Sequence, residues 1–318
     1  MKILANDGIS KTGIKELESE GFQVITVTVA QEQLINYINN ENIVALLVRS
    51  ATTVRKDLID SCPNLKLIGR GGVGMDNIDV DYAKSKGVHV INTPAASSES
   101  VAELVFAHLF SGVRYLHDSN RNMPLDGDSK FKKLKKAYSK GSELRGKTLG
   151  IIGFGRIGQS TARIALGLGM NVIAHDPFTK SATLDLNFFD GQSVKFDINM
   201  MNKDDVLSKA DFLTLHVPAQ KDFVIGTKEI ELMKDGAGLI NAARGGVVDE
   251  VALVKALKSG KLAFAGIDTF ENEPTPAVQV LMTPNISLTP HIGAATVQAQ
   301  DRIGSELASQ IVSLLKKC

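Results

Sequence analysis

The chain has 318 residues, 43% hydrophobic and 22% charged, and its 36 basic side chains against 35 acidic ones leave a formal charge of +1. At about 100–200 residues per domain the length suggests two domains, and the composition is that of a globular chain, not a disordered one. The near-neutral balance excludes a global field for drawing in nucleic acid or an anionic membrane, so any anionic ligand must be held by local charges. Two cysteines, Cys62 and Cys318, are too few for a disulfide framework or a zinc site, so ordinary thiols and no metal are expected. The most apolar stretch, residues 101–116, is interrupted by Glu103, His108 and Arg114 and falls short of the roughly 20 apolar residues of a membrane span. Residues 1–8 turn polar before a signal-peptide core could form, so a soluble cytoplasmic protein is expected.

Short apolar or β-branched runs alternate with helix-period stretches along the chain. Residues 3–6, 22–27, 43–48, 65–69 and 88–91 read as strands. After Gly146 the alternation restarts, with strands at 148–152, 171–174, 212–216, 238–241, 263–267 and 286–288 and helices at 157–169, 203–209 and 250–259. Strands alternating with helices indicate parallel sheets built from βαβ units, and two such series indicate two doubly wound α/β domains. Between the series, Ser97 to Ser100 offer N-cap residues before a long helix starting near Val101. The lysine run over residues 130–140 reads as a solvated face or loose loop, or else as an arm that meets an anion or a second subunit.

Gly153-Phe154-Gly155-Arg156-Ile157-Gly158 fits G-x-G-x-x-G, follows an apolar strand and opens a helix. In that setting the first glycine makes the tight turn, the second lets backbone approach a pyrophosphate, and the third lets helix pack on strand. The pyrophosphate then meets the positive end of the helix dipole. Asp176, 18 residues beyond Gly158 at the end of the next strand, is placed to accept from an adenosine ribose. A carboxylate there repels a 2′-phosphate and no arginine follows it closely, so NAD is expected over NADP. Further on, Asn241-Ala242-Ala243-Arg244-Gly245-Gly246, Asp268-Thr269-Phe270-Glu271-Asn272-Glu273-Pro274 and Thr289-Pro290-His291-Ile292-Gly293 each follow a strand. Arginine, acid and histidine thus fall at the carboxyl ends of parallel strands, the edge where open α/β sheets bind ligands.

These stretches, together with Gly71-Gly72-Val73-Gly74-Met75-Asp76-Asn77, resemble the D-isomer-specific 2-hydroxyacid dehydrogenase family over nearly the whole chain. The resemblance implies a Rossmann-like cofactor domain, residues 96–288, inserted into a flavodoxin-like substrate domain, residues 1–95 and 289–318. It implies that Arg244 holds the substrate carboxylate and polarises its carbonyl, that His291 exchanges the proton, and that Glu273 orients the imidazole, with Glu271 as the alternative acid. A guanidinium fork suits a carboxylate, imidazole exchanges protons near neutral pH, and a carboxylate behind it fixes the tautomer. NAD is implied at Gly153, Gly155, Gly158, Val73, Arg156, Ile157, Asp176, His216, Val217, Ala242, Ala243, Asp268 and Gly293. Asp268 is assigned the nicotinamide carboxamide and His216 the lining of the cofactor pocket. Arg49, Ser50, Arg70, Gly72, Val73 and Gly74 would face the substrate, with Arg49 and Arg70 as candidates for a phosphate.

Within the family the likeness is greatest to the branch that oxidises D-3-phosphoglycerate to 3-phosphohydroxypyruvate, in a form without room for a C-terminal serine-sensing domain. Reduction of glyoxylate or hydroxypyruvate, D-lactate chemistry, or an NAD(H)-sensing corepressor role are the alternatives. Relatives often carry tryptophan in the arm after the long helix; this chain has none, and Phe131 is the nearest stand-in. A homodimer through that arm is implied.

Overall fold

The computed structural model describes residues 1–316, so Cys318 lies outside the described part. The chain divides into two compact units, one of Met1–Ser100 with Ala294–Cys318 and one of Val101–Gly293. Each division falls five residues beyond the position expected from the sequence.

In the first unit, strands β1 (Lys2–Ala5), β2 (Gln23–Ile25), β3 (Ile43–Val48), β4 (Leu67–Arg70) and β5 (His89–Asn92) form a parallel sheet of order β2-β1-β3-β4-β5. That is the flavodoxin-like order. Helices cover both faces, so β3 is an almost unbroken apolar run, Ile43-Val44-Ala45-Leu46-Leu47-Val48, buried along nearly its whole length. Cys62 is buried among these side chains, and desolvation pushes its thiol up to about 11, which keeps it protonated and unreactive.

The helix Val297–Leu315 completes this unit from the far end of the chain. Ile303, Leu307, Ile311 and Leu315, at helical spacing, are buried against the β-sheet core that includes Ile3, Leu47 and Leu67. Its Gly304 meets Gly13 of the helix Lys11–Ser19, and a Cβ on Gly13 would lie 2.8 Å from the Gly304 Cα. The two helices therefore touch backbone to backbone.

In the second unit, β6 (Thr148–Ile152), β7 (Asn171–His175), β10 (Phe212–Leu215), β11 (Ala237–Asn241), β12 (Leu262–Ile267) and β13 (Ile286–Leu288) form a parallel sheet of order β13-β12-β11-β10-β6-β7. The chain runs outward from β6 to β7 and returns to the other side of β6 with β10. That reversal opens a crevice beyond the carboxyl ends of β6 and β10.

The sequence reading did not anticipate the connection between β7 and β10, an antiparallel hairpin of β8 (Ser181–Asn187) and β9 (Ser193–Asn199). Leu184 and Ile198 turn inward, while Phe189 at the tip is fully exposed. The lysine run forms a short helix, Phe131–Ala137, with its lysines in solvent. No helix among the described residues is long and apolar enough to cross a membrane.

The backbone contact between the two terminal helices gives a test. Overpacking costs about 1–3 kcal/mol, and alanine returns at most about 1 kcal/mol of helix propensity over glycine. Gly13→Ala should therefore lower the urea midpoint without changing the m-value. A rise in stability would show that the helices separate freely.

Candidate active site

The glycine turn after β6 is shaped by three different constraints. Gly153 has φ +91°, and a Cβ on it would lie 2.4 Å from the His216 carbonyl oxygen and 3.1 Å from a Val217 methyl group. Gly158, in the first turn of the helix Arg156–Gly167, would bring a Cβ to 2.3 Å from the Gly153 oxygen. Gly155 is different. It caps the helix with φ −71° and ψ −163°, and a Cβ there would meet nothing within 4 Å. Neither backbone conformation nor packing requires glycine at 155, so the open space above it is room for a ligand. Arg156, at the helix start, is exposed beside that space, and Ile157 is half-buried.

Asp176, at the end of β7, accepts from the Phe154 amide with one oxygen and from the Phe178 amide with the other, each at 2.8 Å. The carboxylate thus braces the glycine turn. Its half-buried position leaves it within reach of solvent. His216, at the end of β10, lies within 3.2 Å of the hydroxyls of Thr161 and Thr214 through Nε2. The Thr161 hydroxyl also donates to the Ile157 carbonyl at 2.9 Å. The His216 Nδ1 is buried with no partner. Burial pushes the imidazole down to about 3, so it stays neutral at physiological pH. An open glycine cradle beside a buried ring nitrogen with no partner fits a nicotinamide dinucleotide, which offers a pyrophosphate and an amide that both donates and accepts.

After β11, the Asn241 side chain holds the arginine loop from within: it donates to the Arg244 carbonyl at 3.0 Å and accepts from the Ala243 amide at 3.1 Å. Ala242 and Ala243 are buried, and Arg244 Nη1 donates to the Ala243 carbonyl. Gly245 is fixed by the neighbouring loop, since a Cβ on it would lie 1.8 Å from the Phe270 oxygen.

Asp268, 1% exposed, carries the next loop. Oδ1 accepts from the Thr289 hydroxyl at 2.6 Å and the Ile292 amide at 2.8 Å; Oδ2 accepts from the Gly293 amide at 2.9 Å. The carboxylate assigned to the nicotinamide carboxamide from the sequence also anchors the histidine loop. His291 itself adopts φ +54°, uncommon for a residue with a Cβ, and is held there by the amides that follow it. Its Nδ1 lies 2.8 Å from Glu273 Oε2, with both side chains accessible at 40% and 36%.

Glu271 faces elsewhere: it accepts from the Glu250 amide while Glu250 accepts from the Glu271 amide, both at 2.8 Å. Desolvation, then the neighbouring charges of Glu271 and Glu273, hold the Glu250 carboxyl above the usual carboxylate range. This exchange ties the acidic loop to the start of the helix Glu250–Ser259. The sequence reading did not single out Glu250, although its place in a helix-start Asp-Glu pair was visible.

In the first unit, Arg49 and Ser50 follow β3, and Arg70 ends β4. The Arg49 amide donates to Asp7 at 2.6 Å, and the Asn77 side chain holds its carbonyl at 2.9 Å. The Arg70 guanidinium folds over Gly72, whose φ of +150° no side chain would tolerate there. Asn92 donates to the Val73 carbonyl at 2.7 Å, fixing the turn that runs on to Gly74.

This arrangement defines a nicotinamide-dinucleotide-binding α/β protein. Residues 106–293 match the D-isomer specific 2-hydroxyacid dehydrogenase, NAD binding domain. The chain is 40% identical over 318 residues to D-3-phosphoglycerate dehydrogenase of Methanocaldococcus jannaschii, covering 99% of this chain but 58% of that protein. It is 39% identical over 316 residues to hydroxypyruvate reductase of Thermotoga maritima, covering 98% and 97% of the two chains. The solved D-lactate dehydrogenase of Aquifex aeolicus, complexed with NAD and lactic acid, superposes with a TM-score of 0.76 at 29% identity, over 100% of this chain and 96% of that one. The chain belongs to the D-isomer specific 2-hydroxyacid dehydrogenase family.

The open face of Gly155 separates binding from folding. Gly155→Val should leave the urea midpoint unchanged and weaken NADH binding about tenfold to a hundredfold, the cost of losing one charge-assisted hydrogen bond. Fluorescence titration reads the affinity; wild-type affinity in the variant would remove the pyrophosphate from this turn.

Proposed function

We propose that the chain is an NAD-dependent dehydrogenase of D-3-phosphoglycerate, oxidising it to 3-phosphohydroxypyruvate, and that Arg244, Glu273 and His291 are its catalytic residues. The observation that carries this reading is the 2.8 Å contact between His291 Nδ1 and Glu273 Oε2 on a loop anchored by Asp268. Bound NAD supplies the redox chemistry, accepting or returning a hydride at its nicotinamide.

The protein's part is binding and proton handling. With Nδ1–H donated to Glu273, Nε2 is left to exchange a proton with the substrate oxygen. In oxidation Nε2 takes the hydroxyl proton as the carbon loses its hydrogen with the bonding pair; in reduction it returns a proton to the new alkoxide. Arg244 offers its guanidinium to the substrate carboxylate and draws charge from the carbonyl beside it. With a net charge of only +1, a substrate phosphate must be held by individual residues, and Arg49 and Arg70 are assigned to it. Leu116, Leu125 and Phe131, exposed on the helices and arm that follow Ser98, support a homodimer, which suits a cytoplasmic enzyme.

A second reading is reduction of hydroxypyruvate or glyoxylate. It is supported by the hydroxypyruvate reductase of Thermotoga maritima, to which the chain is 39% identical, against 40% to the phosphoglycerate dehydrogenase of Methanocaldococcus jannaschii.

Initial rates with NAD and NADH across 3-phosphoglycerate, D-lactate, glyoxylate and hydroxypyruvate test the two readings. The highest kcat/KM is expected for 3-phosphoglycerate. In Arg49→Ala, KM for 3-phosphoglycerate should rise about tenfold to a hundredfold while that for D-lactate stays near wild type. Equal rises for both would remove Arg49 from phosphate recognition.

The histidine pair has its own signature. His291→Gln should lower kcat by about a hundredfold to ten-thousandfold, the usual worth of general acid–base catalysis, with NADH affinity intact. Glu273→Gln should lower kcat less, with KM nearly unchanged. A Glu273→Gln enzyme as fast as wild type would leave the imidazole without need of its carboxylate.

A further inference from the structure

His108 belongs to none of the motifs, yet it reaches the loop that carries His291. It lies on the helix Ser98–Val113, 2% exposed, with its ring between two hydroxyls. Nδ1 is 2.9 Å from Ser287 Oγ, and Nε2 is 2.9 Å from Thr289 Oγ1. Strand β12 is cut back to admit it: a Cβ on Gly266 would lie 2.5 Å from the His108 Cβ and 2.8 Å from its Cγ.

The proton count fixes the tautomer. Thr289 Oγ1 stands 2.6 Å from Asp268 Oδ1, a separation that requires the single hydroxyl proton between them when Asp268 is a carboxylate. Toward His108 the Thr289 oxygen is then only an acceptor, so Nε2 carries a proton. Nδ1 holds the lone pair and takes the Ser287 hydroxyl proton. The opposite tautomer would demand the Thr289 proton for Nε2 and leave two acceptors facing each other across 2.6 Å.

The charged and titratable groups facing the ring are Asp268, from the loop after β12, and His117, from the helix Leu116–Asp126. Desolvation holds His108 below the ordinary imidazole range; Asp268 opposes this and His117 adds to it. That burial favours the uncharged ring, in which the Nε2 proton leaves Nδ1 as the acceptor.

We propose that His108 is a positioning residue: its Nε2–H tautomer pins the Thr289 hydroxyl proton on Asp268, and Asp268 in turn fixes the backbone that presents His291. The chain of contacts is Ser287, His108, Thr289, Asp268 and the Ile292 and Gly293 amides, each link at 2.9 Å or less. Its effect on rate rests on the reading of His291 as the proton-exchanging residue; the tautomer does not.

Two measurements test this. In cofactor-free protein with ¹⁵N-labelled histidine, long-range proton–nitrogen correlation should show His108 protonated at Nε2 alone. With 6 histidines in the chain, loss of one pattern in His108→Gln assigns it. A proton on Nδ1 instead would overturn the proposal.

In turnover, His108→Leu should lower kcat about fivefold to twentyfold, with KM and NADH affinity moved less than about twofold. His108→Gln, whose amide can still donate to Thr289, should recover most of that loss. Leucine at 108 should add little once Thr289→Val has been made, because both act through one hydroxyl. Unchanged kcat in His108→Leu, or factors that multiply in the double variant, would overturn the relay. A wild-type protein that turns over no 2-hydroxy or 2-oxo acid would sink the dehydrogenase reading while leaving the tautomer result standing.

Discussion

A buried carboxylate needs donors, and Asp268 has drawn its donors from the segment that the chemistry uses. Leaving such a group unpaired in an apolar interior is expensive, so the Thr289 hydroxyl and the Ile292 and Gly293 amides are held as firmly as the charge demands. The left-handed backbone at His291 follows from that grip, and so does the direction in which its imidazole leaves the loop. Neighbouring loops are braced by the same device: Asn241 inside the arginine loop, Asp176 against the glycine turn, and the Glu250–Glu271 exchange beneath Glu273. Polar side chains spent on backbone let strand ends carry functional groups without the looseness usual in loops.

Much of the frame was legible in the sequence. Strands 43–48, 148–152 and 286–288 lie where the sequence placed them, most plainly 43–48, whose unbroken apolar run suits a strand buried on both faces. The β4 reading began two residues early, since Leu65 is buried but belongs to the turn closed by its amide on the Cys62 carbonyl. The β8–β9 hairpin was missed although Asp190-Gly191 stands between alternating apolar and polar residues, a hairpin signal. The hairpin is mostly exposed and carries no long apolar run to announce it.

The site was legible only as far as its motifs reach. Arg244, Glu273 and His291 stand out by residue type and by their places after strands. The parts that hold them do not: His108 meets Thr289 across 181 positions, and nothing local to either residue announces the other. Gly245 and Gly266 carry the same lesson. Their sequence neighbours show glycine, but only the Phe270 carbonyl and the His108 ring explain why no side chain fits.

The split origin of the first unit bears on the order in which the molecule can be made. Val101 to Gly293 is contiguous, so the cofactor unit has its entire core once that stretch has left the ribosome. The first unit has its five strands much earlier, yet one face of its sheet lacks Ile303, Leu307, Ile311 and Leu315 until the closing helix is synthesised. A nascent chain therefore carries an apolar sheet face in the open while the second unit folds, and a chaperone's grip is most needed there.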